Sequence, residues 1–196
     1  MENKIIFFGD SLVAGYGLLN PSTESIPALI SAKLKQLGMN YSVINAGISG
    51  ETTSSASSRL DLVLTEKPDI FILELGANDF LRGVSPLLIL TNLQSIISRV
   101  KLACPGAAIL LLGIELPGWA TGLHEGDYSE IFSALADKNN IARVPSFLKN
   151  VVGIRSLNMP DGVHPLKEGY AIAAENIWPE LYRIIQSRQN ENQQTA

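Results

Sequence analysis

Cysteine and histidine are scarce in this sequence, and their scarcity excludes two kinds of structural site. Cys104 is the only cysteine, and His124 and His164 are the only histidines. An internal disulfide needs two cysteines, and a structural zinc site is nearly always closed by four Cys or His ligands. We therefore expect neither a disulfide nor a metal site. Cys104 lies at the end of a helical pattern and is interpreted as a small packing residue.

Long apolar runs and blocks of like charge are also missing. No uninterrupted apolar run approaches the roughly 18 residues that a membrane helix requires, so stable membrane insertion is not expected. The 19 acidic and 15 basic residues are dispersed and give a net charge of −4, which does not favour a nucleic-acid partner. Met1–Phe8 does not resemble a secretory signal. This predicts a cytoplasmic protein as written, or a periplasmic or secreted one if a leader has been removed.

The sequence does contain five short apolar runs that alternate with five longer helical patterns. The runs are continuous rather than alternating, as in parallel strands that are covered on both faces. The predicted strands are Ile5–Phe8, Tyr41–Ile44, Ile70–Leu75, Ala108–Leu112 and Ile141–Val144. The predicted helices are Ser22–Leu37, Thr52–Thr65, Pro86–Ala103, Gly126–Asn139 and Lys167–Ser187. This order predicts one α/β domain, a three-layer α/β/α sandwich with a five-stranded parallel sheet, over residues 1–188. Residues 189–196 are expected to form a frayed tail.

Ligands of such sheets lie beyond the carboxyl ends of the strands, and three polar or glycine-rich segments follow strands directly. Gly9-Asp10-Ser11-Leu12 presents a hydroxyl, Asn45–Thr52 forms a glycine-rich loop, and Gly76–Phe80 presents the amide of Asn78. Each has an ordinary alternative. Asp10 or Ser11 is also typical of a helix cap, and the other two segments are also typical of turns.

Asp161-Gly162-Val163-His164-Pro165 precedes the last predicted helix and places an acid three residues before a histidine. A serine nucleophile needs a base to remove its proton, and the base needs an anion that orients it and stabilises its charged form. Ser11, His164 and Asp161 fit these three roles. Together with the strand-end loops, they predict acyl transfer without a cofactor.

These segments resemble the GDSL, or SGNH, hydrolase family. Gly9–Leu12, Gly50, Gly76–Asp79 and Asp161–Pro165 match its four blocks in order, and residues 77–83 and 114–117 resemble loops of its thioesterase, lysophospholipase and arylesterase branch. The resemblance implies a flavodoxin-like strand order and a serine esterase or thioesterase that acts on small acyl substrates. It implies an oxyanion hole made by the backbone N–H groups of Ser11 and Gly50 and the Asn78 amide.

The resemblance also implies an acyl groove at the sheet edge. We expect Asp10, Leu12, Asp79, Phe80 and Pro117 to contact the substrate there. Phe80 stands where this branch often has glycine, and its bulk is expected to favour short acyl chains.

Two other functions are compatible with parts of the pattern. Relatives of the family remove acetyl groups from carbohydrates, and a flavodoxin-like module would bind a flavin or nucleotide at the same loops without catalysis. The Asp161/His164 pair favours an enzyme, because a phosphate-binding module has no need of it. His124 has no acid at a suitable spacing and is not assigned as the base. Glu74 lies within a predicted apolar strand, where either an ion pair with Arg59 or Arg82 or a substrate contact would account for it. Glu74 is therefore left unassigned.

Overall fold

The computed structural model describes residues 3–114 and 125–194, with side chains of residues 125–129 and 191–194 excepted. Its centre is a sheet of five parallel strands in the order β2-β1-β3-β4-β5. The strands are β1 (Asn3–Gly9), β2 (Tyr41–Gly47), β3 (Ile70–Glu74), β4 (Ala108–Leu112) and β5 (Ala142–Val144). This is the flavodoxin-like order, and it confirms the fold class predicted from the sequence.

Helices connect successive strands and cover both faces of the sheet. They are α1 (Ser11–Ala14), α2 (Pro21–Glu24), α3 (Ile26–Gln36), α4 (Thr53–Leu64), α5 (Ala77–Leu81), α6 (Pro86–Ala103), α7 (Glu125–Asn139) and α8 (Lys167–Gln194). A short 3-10 helix, Arg155–Leu157, precedes the last of them. In the part of the chain that the structure describes, no helix is both long and apolar enough to cross a bilayer.

The sheet separates two hydrophobic cores because successive side chains of a strand point to opposite faces. On β1, Ile5 and Phe7 pack with α3 and α8, whereas Ile6 and Phe8 pack with α4, α6 and α7. All four side chains have no exposed surface. Double-sided burial of this kind is what the continuous apolar runs predicted.

Two predicted helical segments differ from the structure. The segment predicted as one helix, Ser22–Leu37, is divided into α2 and α3 at Ser25, whose backbone is extended. Pro27 explains the break, because in a continuous helix its ring would collide with the carbonyl group of Thr23. The polar segment predicted to be frayed continues α8 as far as Gln194. Residues 189–194 contain neither glycine nor proline, so extending a helix that has already formed requires little free energy.

Candidate active site

Ser11 is the first residue of α1 and follows β1 after a single residue. Asp10 caps this helix, since its Oδ1 accepts a hydrogen bond of 3.0 Å from the backbone N–H of Leu12. The helix ends after one turn at Gly15, whose φ of 84° is the left-handed conformation that glycine adopts at low cost. This short turn holds the Ser11 hydroxyl at the carboxyl end of the sheet.

The Ser11 hydroxyl contacts the imidazole of His164, which in turn contacts Asp161. Ser11 Oγ lies 2.9 Å from His164 Nε2, and His164 Nδ1 lies 2.8 Å from Asp161 Oδ2. A carboxylate can only accept, so Nδ1 carries the proton and Nε2 is left to accept from the hydroxyl. Oδ1 of Asp10 is 3.5 Å from the same hydroxyl, so the imidazole is its stronger partner. The structure thus brings together the three residues predicted to form a triad.

The loop that carries Asp161 and His164 is fixed by its own hydrogen bonds. Asp161 Oδ1 accepts from the backbone N–H groups of Val163 and His164 at 2.9 and 3.0 Å. The N–H of Met159 donates to the carbonyl oxygen of His164 at 2.7 Å. Burial opposes the ionisation of Asp161, but the hydrogen bonds from His164 and Val163 and the attraction of His164 outweigh it and lower the pKa of Asp161. Asp161 is therefore held as an anion against the imidazole.

Asn78 extends from α5 into the same site, and both of its amide N–H groups are engaged. Nδ2 donates to Asp10 Oδ2 at 2.9 Å and to the Glu51 carbonyl oxygen at 3.0 Å. Gly50 lies in the loop beside that carbonyl, with a φ of 81°, and its own carbonyl oxygen accepts from Arg82 at 2.9 Å. Two hydrogen bonds, from Asn78 and from Arg82, thus connect the loop after β2 to α5 and the residue that follows it.

A cavity of about 90 Å³ lies between these elements. Its lining includes the predicted residues Asp10, Ser11, Leu12, Asn78, Asp161 and His164. Ala77, Leu81 and Val163 also line it and were not predicted. Helical spacing would have revealed Leu81, because residues three or four apart share a helix face and Leu81 therefore lies beside Asn78 and Ala77. The sequence interpretation treated this segment as a turn.

Two predicted substrate contacts, Asp79 and Phe80, are not among the residues that line this cavity. Asp79 is 1% exposed, and its carboxylate accepts from the backbone N–H and the hydroxyl of Thr53 at 2.8 and 2.6 Å. The prediction that it binds substrate is corrected, since both oxygens are already used to hold the start of α4. Phe80 is not among the residues that line the cavity, and its neighbour Leu81 takes that position. Pro117 lies outside the described residues, as does His124.

Tyr16 is a contact of His164 that the sequence interpretation missed. Its ring centroid lies 4.5 Å from that of the imidazole, at an interplanar angle of 45°. Its main chain is held from both sides: its N–H donates to the carbonyl oxygen of Ser11, and its carbonyl oxygen accepts from the hydroxyl of Tyr170 at 3.0 Å. The aromatic residue between Gly15 and Gly17 was the available signal in the sequence.

Asp10 is fully buried beside the hydroxyl and the amide. Burial raises the pKa of Asp10 to about 6, against the opposing effects of the Leu12 N–H, Glu74, His164 and Asn78. Its carboxylate oxygens accept hydrogen bonds from the Leu12 N–H and the Asn78 amide. Asp10 therefore positions the Ser11 turn and Asn78 rather than presenting a free charge to a substrate. The described residues contain no cluster of three or more Asp, Glu, His or Cys side chains suited to a metal ion.

Comparison with known proteins places this site in a family. The GDSL-like lipase/acylhydrolase family matches residues 7–172, which include every residue of the Ser11, His164 and Asp161 arrangement. The chain belongs to this family. The resemblance drawn from the four sequence segments is thereby confirmed, and the family description makes the chain an acyl hydrolase and therefore an enzyme.

Curated relatives match over nearly the whole chain. The chain is 36% identical to Esterase TesA of Pseudomonas aeruginosa over 92% of this chain and 89% of the relative. It is 35% identical to the arylesterase of Vibrio mimicus over 94% and 90% of the two chains. It is 31% identical to thioesterase 1/protease 1/lysophospholipase L1 of Escherichia coli K12 over 93% and 85%.

Solved structures of esterases are similar in fold. The crystal structure of TesA superposes with a TM-score of 0.87 at 35% identity and covers 93% of this chain and 99% of its own. The psychrotrophic esterase EstA from Pseudoalteromonas sp., solved in a form inhibited by monoethylphosphonate, gives a TM-score of 0.85 at 28% identity, with 94% and 99% covered. The flavodoxin-like sheet described above is thus the family's own fold.

Proposed function

We propose that this acyl hydrolase cleaves small acyl esters or thioesters, with Ser11 as nucleophile, His164 as general base and Asp161 as the group that orients it. The observation that carries the proposal is the continuous hydrogen-bonded path from Ser11 Oγ through His164 to Asp161, with distances of 2.9 and 2.8 Å. These distances are within the range that proton transfer from a serine requires. The names of the relatives, esterase, arylesterase and thioesterase, support the same substrate class.

The reaction proceeds in two acyl-transfer steps. Ser11 Oγ attacks the carbonyl carbon as its proton passes to His164 Nε2, and the imidazolium then gives that proton to the leaving alcohol or thiol. A water molecule then attacks the acyl-enzyme with His164 again as base, and the imidazolium returns this proton to Ser11 Oγ as the bond to the acyl carbon breaks and the carboxylic acid leaves. Asp161 stabilises the imidazolium in both steps, because its pKa is lowered and its Oδ2 faces Nδ1.

The oxyanion is proposed to bind the N–H groups of Ser11 and Gly50 and the amide of Asn78. In the free enzyme one Asn78 N–H donates to the neutral carbonyl oxygen of Glu51. A developing oxyanion is a stronger acceptor than a neutral carbonyl, so this N–H would turn toward it during attack. The other N–H stays on Asp10 and keeps the amide in place.

The lining of the cavity supports a preference for short acyl groups. Its volume is about 90 Å³, and the Ala77, Leu81 and Val163 side chains supply apolar surface beside the nucleophile. Leu81, rather than Phe80, is therefore proposed to limit acyl length. Leu81→Ala should shift the preferred substrate of a p-nitrophenyl ester series toward longer chains. Phe80→Ala is the matched control and should leave the preference unchanged.

Hydrolysis of p-nitrophenyl esters from acetate to palmitate tests the catalytic assignment. Ser11→Ala and His164→Ala should each lower kcat by about four to six orders of magnitude. Ser98→Ala, which removes an exposed hydroxyl on α6, should leave kcat unchanged. A fluorophosphonate probe should label the protein at Ser11, as located by mass spectrometry. Full activity in Ser11→Ala, or labelling at another residue, would refute the proposal. An acetylated sugar included in the series tests for carbohydrate-ester deacetylation.

A further inference from the structure

Glu74 is a carboxyl group in a place where a charge is costly. It is the last residue of β3, its side chain has no exposed surface, and its backbone is in register with Gly9 of β1. The two nearby arginines do not neutralise it: Arg59 pairs with Glu51 and Arg82 donates to the Gly50 carbonyl oxygen. Neither arginine therefore forms the ion pair considered for Glu74. Its lack of exposed surface argues against the substrate contact that was the alternative.

The contacts of Glu74 are with Asp10. Its Oε2 accepts from the Asp10 backbone N–H at 3.2 Å. With both carboxyl groups ionised, its Oε1 has no hydrogen-bond partner among the described residues. The two carboxyl groups are themselves within hydrogen-bonding contact. Two adjacent buried carboxylates repel each other, which favours the state in which one of them is protonated.

The surroundings indicate that Glu74 holds this proton. The Asp10 oxygens already accept from the Leu12 N–H at 3.0 Å and from the Asn78 amide at 2.9 Å, and both bonds favour its charged form. Glu74 accepts only from the Asp10 N–H. Burial raises the pKa of Glu74 well above its ordinary value, and the negative charge of Asp10 raises it further. His164 and Tyr170 also interact electrostatically with this region: His164 favours the charged form of Asp10, and the pKa of the Tyr170 hydroxyl is raised by burial and by both carboxyl groups.

We propose that Glu74 is a positioning residue for the oxyanion hole, which in its neutral form donates a hydrogen bond to Asp10 and fixes the carboxylate that holds both the Ser11 turn and the Asn78 amide. This inference rests on the proposed function, in which Asn78 stabilises the oxyanion. A neutral donor behind Asp10 also disperses negative charge that would otherwise oppose the developing oxyanion. Glu74 touches no reacting atom and acts through Asp10 alone.

Two substitutions separate the donor role from simple packing. Glu74→Gln keeps an acceptor for the Asp10 N–H and a donor for its carboxylate, so kcat should stay within about threefold of wild type. Glu74→Leu has similar bulk but no donor. It should lower kcat roughly 10- to 100-fold, the change that corresponds to losing one hydrogen bond to a charged group, with KM nearly unchanged. Ile72→Ala, two residues earlier on the same buried strand, is the control for lost stability and should keep the wild-type kcat.

Infrared spectroscopy tests the proton itself, without reference to activity. At neutral pH the wild-type protein should show the C=O stretch of a protonated carboxylic acid, and Glu74→Gln should lack it. The absence of this band from the wild type would overturn the proposal even if Glu74→Leu failed to fold. A folded Glu74→Leu with wild-type kcat, or a Glu74→Gln as impaired as Glu74→Leu, would overturn it too. Failure of the proposed function would appear separately, as a wild type that is not labelled at Ser11.

Discussion

The buried carboxylate of Asp79 holds the first turn of α4, and its removal should damage the fold far more than substrate binding. Asp79 accepts from the N–H of Thr53 at 2.8 Å and from its hydroxyl at 2.6 Å, and the same hydroxyl accepts from Asn92 at 2.9 Å. Thr53 is completely buried, so no water can replace the carboxylate when Asp79 becomes alanine. The N–H and the hydroxyl would both lose their acceptor.

The expected loss follows from these two hydrogen bonds. A hydrogen bond to a charged group contributes about 1.5–3 kcal/mol, so losing both in Asp79→Ala should lower the free energy of unfolding by about 3–6 kcal/mol. In a domain of this size each kcal/mol corresponds to about 2–4 °C, which gives a decrease in Tm of about 10 °C. Asp79→Asn keeps one acceptor oxygen and should lose about 1–2 kcal/mol. Since Asn78 precedes Asp79 on α5, kcat should fall as well, while KM changes by less than about twofold.

Urea unfolding and steady-state kinetics on a short p-nitrophenyl ester measure both effects. Thr53→Val removes the hydroxyl but keeps the N–H, so the double variant should show positive coupling between the two sites. An Asp79→Ala protein that unfolds within about 0.5 kcal/mol of wild type and shows a raised KM would refute this reasoning. That result would restore the substrate-binding role that the sequence predicted for Asp79.

Three further predictions concern the groups around Ser11. Asn78→Ala should lower kcat roughly 100- to 1000-fold on the same esters, as for other oxyanion donors, and a smaller than tenfold loss would exclude that role. Asp161→Asn should lower kcat by about three to four orders of magnitude. Because the pKa of Asp161 is lowered on folding, its contribution to stability is present at neutral pH and lost as the pH falls through that pKa. Urea unfolding should therefore show the Asp161→Asn deficit at pH 7 but not at about pH 2, and an equal deficit at both pH values would contradict this. Tyr16→Leu removes the ring beside His164 and should lower kcat/KM, because a ring face stabilises the imidazolium, whereas Tyr16→Phe should behave as wild type.

The sequence by itself determined the architecture and indicated which groups are proposed to react. Continuous apolar runs separated by helical patterns are typical of a parallel sheet with two covered faces, because helices on both faces bury both sides of every strand. Asp161 and His164 could be paired from the sequence since they are three residues apart and share one loop, in which Asp161 accepts the N–H of His164. Ser11 could be placed at the functional edge because its segment follows a strand directly. These signals involve residues that are close together in the sequence, so a sequence pattern is enough to detect them.

Only the tertiary structure decided which groups meet across the fold. Ser11 and His164 are 153 residues apart, and their contact depends on the turn after β1 and the loop before α8 meeting at one edge of the sheet. Asp79 looked like a substrate contact until Thr53, 26 residues before it, was seen to occupy both of its oxygens. Phe80 and Leu81 are neighbours in sequence, yet the turn of α5 directs Leu81 rather than Phe80 to the cavity. The role proposed for Glu74 depends on its hydrogen bond with Asp10, which lies 64 residues away in the sequence. The protonation and role of a buried polar group depend on neighbours that folding brings from distant segments, and no sequence pattern records them.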